Sequence, residues 1–231
     1  MDTSWILRNK LQFKKLLDLE DRLEIRGTWF CVPETITKKS DRESLMYLKS
    51  LGHEVACHGF NHDAKLPFVS AKELDRRLKI MKSFCVEYDV IGFRSEWFYR
   101  NQQIQKIISS LFKYDSSIQS FSTSLVSKTN SGSSSCHCYN FQGEFLEIPV
   151  TLPSDETRFQ KKISAKEYFD EMFELCKKIA TKNGVLNIVI HPQQHQVFRD
   201  DFLDEFEAFI KTLKTEIDLE IIPIAKSGFI K

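Results

Sequence analysis

The sequence predicts an α/β domain built on a parallel sheet that crossover helices close or nearly close. Three observations carry this expectation. Amphipathic helical stretches alternate about six times with short apolar runs of strand type. No linker or internal repeat interrupts the series. Several apolar runs end on residues fit for chemistry, His58, Arg94 and His191, and the C-terminal strand ends are where parallel α/β folds collect such groups. At 231 residues, 42% of them hydrophobic, the chain is long enough for one domain over 1–231 with a sizeable core.

Leu11, Leu16, Leu19 and Leu23, with Phe13 and Leu17 beside them, mark a first helix that stops near Gly27. Thr28 to Val32 then reads as a buried strand. Ser40-Asp41-Arg42-Glu43 has the form of a capping box ahead of Leu45 and Leu48, and Gly52 ends that helix before the strand Glu54 to His58. Ser70-Ala71-Lys72-Glu73 opens the next helix in the same way, with Leu74, Leu78 and Met81 inward, leading to Val90-Ile91-Gly92-Phe93-Arg94. Ile104, Ile107, Ile108 and Leu111 predict a helix before Tyr114-Asp115. A Ser-rich loop precedes the strand Phe145 to Val150, and Ser164 and Glu167 cap a helix bearing Phe169, Met172, Cys176 and Ile179. Val185 to Ile190, the most apolar run, reads as a fully buried strand delivering His191-Pro192. A helix from about Phe202 to Leu213 and a strand from Leu219 to Ile224 complete the order. The chain opens on helix-like sequence, so a barrel of this order lacks its first strand unless residues precede Met1.

Composition narrows the function. The 33 basic and 32 acidic side chains nearly cancel and no basic run stands out, which argues against a nucleic-acid partner. No apolar run approaches the ~20 residues of a membrane span, and nothing near Met1 has the form of a secretory signal. The six cysteines are scattered through apparent core segments, as expected in a reducing compartment, so the cytoplasm is the expected location. Cys136-His137-Cys138 is a triplet without a second matched pair, and is expected to be an exposed loop with incidental thiols rather than a zinc site.

His58 and His62 stand four apart in His58-Gly59-Phe60-Asn61-His62. Neutral imidazoles ligate divalent transition metals, and a helical turn after the strand would bring both to one face; the alternative is a pair of packing or surface histidines. Their company distinguishes the two. Thr28-Trp29-Phe30-Cys31-Val32, Gly52 to His62, Gly92-Phe93-Arg94 and Ile188-Val189-Ile190-His191-Pro192 resemble, in order and spacing, motifs of the polysaccharide deacetylases, the NodB-homology enzymes of carbohydrate esterase family 4. Leu146-Glu147-Ile148-Pro149 is also similar to the Glu-x-Pro segment of the branch acting on surface-polysaccharide sugars.

That resemblance implies a distorted (β/α) barrel, incomplete at its start, and a divalent metal, zinc above others, held by His58, His62 and Asp2. It implies hydrolysis of an N-acetyl group on an amino sugar or oligosaccharide in bacterial surface-glycan biosynthesis. His191 matches the general acid and Arg94 the residue that orients a catalytic aspartate. Asp115 falls near the segment that tunes the histidine. Trp97 and Glu147 are expected at the substrate, although aromatic core and a solvent-facing edge strand are their alternatives.

The departures matter as much. The family motif has two nearby aspartates, one of them the base, whereas only Asp2 is available here. Either the natural protein begins upstream or another carboxylate substitutes, Glu96 first. Gly59 replaces the usual hydroxyl residue, and Ser95-Glu96-Trp97 the usual proline-aromatic run. A catalytically impaired carbohydrate-binding member of the fold, or a deacetylase of non-sugar amides or acetyl esters, therefore competes with the sugar N-deacetylase.

Overall fold

The structure, a computed structural model, describes residues 6–7, 9–120, 135–140, 143, 145–191 and 201–230. Helix α1 (Lys10–Arg22) begins at Asn9, whose side chain accepts the Gln12 N–H, and leads to strand β1 (Thr28–Cys31). Phe13, Leu16, Leu17 and Leu19 face inward. Leu11, expected in that stripe, is 79% exposed, because it projects about 200° around the helix from Phe13. Helix α2 (Lys39–Ser50) starts two residues earlier than its apparent box. The Asp41 carboxylate accepts the Lys38 N–H at 3.0 Å, while Ser40 lies within the helix.

Strand β2 (Glu54–His58), helix α3 (Ala71–Tyr88), strand β3 (Gly92–Arg94), helix α4 (Gln102–Leu111) and strand β4 (Tyr114–Asp115) follow as expected. Strands β5 (Tyr139–Asn140) and β6 (Leu146–Glu147) come next. The short helix α5 (Glu156–Lys161), which the periodicity does not reveal, precedes α6 (Ala165–Ala180) and α7 (Phe202–Glu216). Reciprocal bonds between Ser164 and Glu167 cap α6, as predicted. Phe169 on α6 packs against Phe202, Phe206 and Phe209 on α7, with ring centroids 5.1–5.9 Å apart.

The sheet has the order β1-β2-β3-β4-β6-β5, parallel except for the β5–β6 pair. Among the described residues its ladder does not close. Val185 to Ile190 and Leu219 to Ile224, both expected as strands, carry no strand structure, yet each lies along an edge of the sheet. On the β1 side Ile224 N donates to Thr28 Oγ1 at 2.9 Å and Arg26 N to the Ile221 carbonyl. On the other side Asn187 N donates to Thr151 Oγ1, which donates to the Val185 carbonyl. Pro149 and Pro153 bracket that stretch and offer no N–H. A side-chain hydroxyl therefore does there what a ladder would do.

Two apolar layers result. The larger lies between sheet and helices and takes Val55, Cys57 and Phe93 from alternate strand positions. The smaller gathers Tyr114, Leu146 and Ile148 with Phe30, Val185 and Ile224, from both edges as well as the middle of the sheet. That second cluster is the filled interior of a curved sheet. Cys136, expected on an exposed loop, is buried, and Cys138 packs against the inner cluster, because β5 draws the segment onto β6. Ser127 to Ser134 of the Ser-rich stretch lie outside the described residues.

Candidate active site

Parallel register aligns the C-terminal ends of neighbouring strands. His58 is paired with Arg94, Phe93 with Asp115 and Asp115 with Glu147. Strand alternation then sorts the side chains. His58 and Arg94 share one face, whereas Asp115 and Glu147 follow Phe93 to the other.

The His58 ring is fixed by its Nδ1, 3.0 Å from the Arg94 carbonyl. A carbonyl accepts, so Nδ1 carries the proton and Nε2 keeps its lone pair. Burial, reinforced by the positive charges of Arg94 and His191, pushes the pKa down to about 3, which keeps the ring neutral. The His62 ring stands 5.0 Å from it, centroid to centroid. The sequence spacing suggested a helical turn between them. The chain instead makes an irregular loop with positive φ at Gly59, His62 and Ala64.

Glu96 holds that loop. Its Oε1 accepts the N–H groups of Phe60 and His62 at 2.7 and 2.6 Å, and its Oε2 accepts that of Ala64 at 2.8 Å. The side chain is 2% exposed, and burial raises its pKa against the pull of those bonds. The expectation that Glu96 replaces the missing base gives way to an anchoring role, because both oxygens are committed to backbone donors. A second clasp is Arg77, which meets both Asp63 oxygens at 2.8 and 2.7 Å and lies over the Phe60 ring. Bonding to Arg77 holds the Asp63 carboxyl at about 2.

His191 is held by a residue the sequence reading missed. Asp155 Oδ2 accepts the His191 backbone N–H at 3.0 Å, and its Oδ1 lies 2.5 Å from the ring Nδ1. Burial opposes the charged ring, but the carboxylate outweighs it and His191 sits above the usual histidine range. Asp155, not Asp115, is thus the carboxylate that tunes this histidine. Its only signal in the sequence is an aspartate in Ser154-Asp155-Glu156, at the start of a helix that the periodicity does not reveal. Asp115 bonds Ser117 instead.

Arg94 is buried, its guanidinium 4.0 Å above the Phe30 ring. Nε and Nη2 donate to the Ser116 carbonyl and hydroxyl at 2.8 and 2.7 Å, and Asn187 braces the same hydroxyl at 3.0 Å. Burial lowers its pKa to about 10. Trp97 is 47% exposed and its ring lies 6.4 Å from His62, beside the histidine pair. Glu147, expected to contact substrate, is buried, and its Oε1 accepts the Ile118 N–H at 2.7 Å. Asp2, Pro192 and His195 lie outside the described residues. His53, expected to be structural or exposed, is buried and accepts the Gly27 N–H. Among the described residues no group of three or more His, Cys, Asp or Glu side chains is arranged to hold a metal ion.

No family model and no curated protein matches the sequence. Solved structures do match. A Mycobacterium smegmatis protein assigned as a polysaccharide deacetylase superposes with a TM-score of 0.71 at 18% identity, over 93% of this chain and 74% of that one. The chain has the polysaccharide deacetylase fold. The Puue allantoinase shares this fold at a TM-score of 0.69 and 16% identity, over 93% of this chain and 70% of its own. A Bacillus anthracis pseudoenzyme of carbohydrate esterase family 4 shares it at 0.57 and 12%, over 93% and 59%. His58 and Arg94 stand at the C-terminal ends of β2 and β3, the end at which parallel α/β folds place their chemistry. No helix among the described residues is long and apolar enough to cross a membrane.

Proposed function

We propose that the chain is a metal-dependent hydrolase that removes N-acetyl groups from an amino sugar, in a cytoplasmic step of bacterial surface-glycan assembly. One observation carries the reading: two histidine rings stand 5.0 Å apart, near a third histidine whose pKa a buried aspartate raises. The pair fits a divalent ion such as zinc, because a neutral ring whose Nδ1 is tied to a carbonyl presents Nε2 as a ligand. Asp2 is the proposed third ligand. A divalent ion there supplies Lewis-acid polarisation of the acetyl carbonyl and acidifies water.

The chain's own residues do the rest. His191, kept protonated by Asp155, gives its proton to the departing amine nitrogen, so amine and acetate are released. Arg94, anchored through Ser116, presents a desolvated cation beside His58, the place at which it would orient an aspartate acting as the base. Trp97 offers a face on which a sugar ring stacks. Glu147 has no part in this scheme, since its carboxylate is spent on the Ile118 amide.

The test separates the two kinds of histidine. His58→Ala is expected to abolish zinc loading, whereas His191→Ala keeps the metal and loses about 10²–10⁴-fold in turnover. Equal zinc content in the two proteins, measured by elemental analysis, would contradict the assignment. A non-catalytic glycan-binding protein is the second reading, favoured by the commitment of Glu96 to backbone amides. Binding of acetylated sugar without release of acetate would select it.

A further inference from the structure

Two strained stretches of backbone face each other beside the histidine pair. The loop after β2 has left-handed φ at Gly59, His62 and Ala64 (59°, 63° and 58°). The turn after β3 has it at Trp97 and Phe98 (53° and 61°), an unusual conformation for two aromatic residues in succession. Between them stands one side chain. Glu96 opens the second turn and accepts three N–H groups of the first, from Phe60, His62 and Ala64, with both of its oxygens engaged. A Cβ on Gly59 would overlap Glu96 Cγ and its carboxylate carbon and oxygen. The bare glycine and the buried glutamate therefore occupy one space between them.

We propose that Glu96 is a positioning residue, which with Gly59 forms a unit that sets the His62 backbone and so holds the His58–His62 pair at the spacing that grips a divalent metal. The proposal rests on the metal-site reading above. His58 is placed by the end of β2 and by its bond to the Arg94 carbonyl. His62 has no such strand, and its backbone N–H is held by Glu96 at 2.6 Å. Strain in both stretches is thus tied to the relative placement of two rings, and the two departures at Gly59 and Glu96 are a matched exchange.

Zinc ion alone is the probe, titrated against a chromophoric chelator with the whole chain, and folding of each variant is checked by thermal melt. Wild type is expected to bind and His58→Ala to fail. Glu96→Gln keeps size and burial but turns an amide N–H₂ toward a backbone donor, and is expected to weaken zinc binding by about 10–100-fold. Gly59→Ala should weaken binding clearly more in the wild-type background than in Glu96→Ala, where the colliding side chain is gone and only the strain of an alanine at φ 59° remains. The Glu96→Asp protein, which retains the charge, should recover part of the affinity lost in Glu96→Ala. Wild-type affinity in Glu96→Gln, or additive effects of Gly59→Ala and Glu96→Ala, overturns the proposal while leaving the metal site standing. A wild-type protein that binds no zinc removes the metal reading, and this proposal with it.

Discussion

At His191 one carboxylate strengthens the ring's hold on its proton. Asp155 is 1% exposed, so its charge acts on the imidazole with little screening from water. A proton donor works only while protonated, and activity is therefore lost as pH rises through the elevated pKa of His191. Asp155→Asn removes the charge and retains a hydrogen-bonding side chain. The alkaline limb of the kcat/KM profile is expected to move to lower pH, and a limb that stays in place would show that Asp155 only packs. The histidines were readable from sequence because each ends an apolar run, a local pattern. The aspartate was not, because it reaches His191 across 36 positions of chain.

Elements meet through buried titrating groups as well as apolar ones. Glu20 on α1 faces His53, which precedes β2, with Oε2 3.7 Å from Nε2 and no hydrogen-bond partner among the described residues. Burial pushes Glu20 up from 4.5 to about 8, opposed by Arg26, and pushes His53 down from 6.5 to about 4. Glu20 binds an extra proton in the folded state, so its contribution to stability is full below about 4.5 and is lost as pH rises through about 8. His53 works in the other direction, contributing fully above 6.5 and losing its share as pH falls toward about 4. Between 6.5 and about 8 only Glu20 of this pair titrates. Glu20→Gln is expected to flatten the fall in unfolding free energy across that window, as measured by urea denaturation. An unchanged slope would place the titration elsewhere. The long helices were plain from 3.6-residue periodicity and capping residues, within about a turn at the ends, whereas the short α5 was not. The strands at 185–190 and 219–224 were not borne out; beside the first, Pro149 and Pro153 offer no N–H to a ladder, and the second is tied instead through the Thr28 hydroxyl and the Arg26 N–H.

Across the whole molecule the inner cluster has a polar tie at the N-terminal end of the sheet. Tyr114 on β4 donates its hydroxyl to Glu54 Oε1 on β2 at 2.8 Å. Glu54 Oε2 takes the Thr28 hydroxyl at 2.7 Å and the Ala225 N–H at 2.9 Å. One carboxylate thus joins β1, β2, β4 and the C-terminal segment. Gly92 lets the Tyr114 ring cross, since any Cβ there would overlap it. Tyr114→Phe leaves Glu54 Oε1 without that donor in a buried place and is expected to cost about 1–3 kcal/mol in urea denaturation. A loss near zero would mean that the tie is replaced by water. The sequence by itself determined the main helices, the strands from Thr28 to Asp115 and the place of His58 at a strand end, because hydrophobic period and strand ends are written in neighbouring residues. Only the tertiary structure decided that Glu96 clasps a loop, that Asp155 bonds the His191 ring and raises its pKa, and that side chains stand in for a ladder at the sheet edges. Those outcomes depend on which donors and acceptors meet when distant segments are buried together, and no local pattern records that pairing.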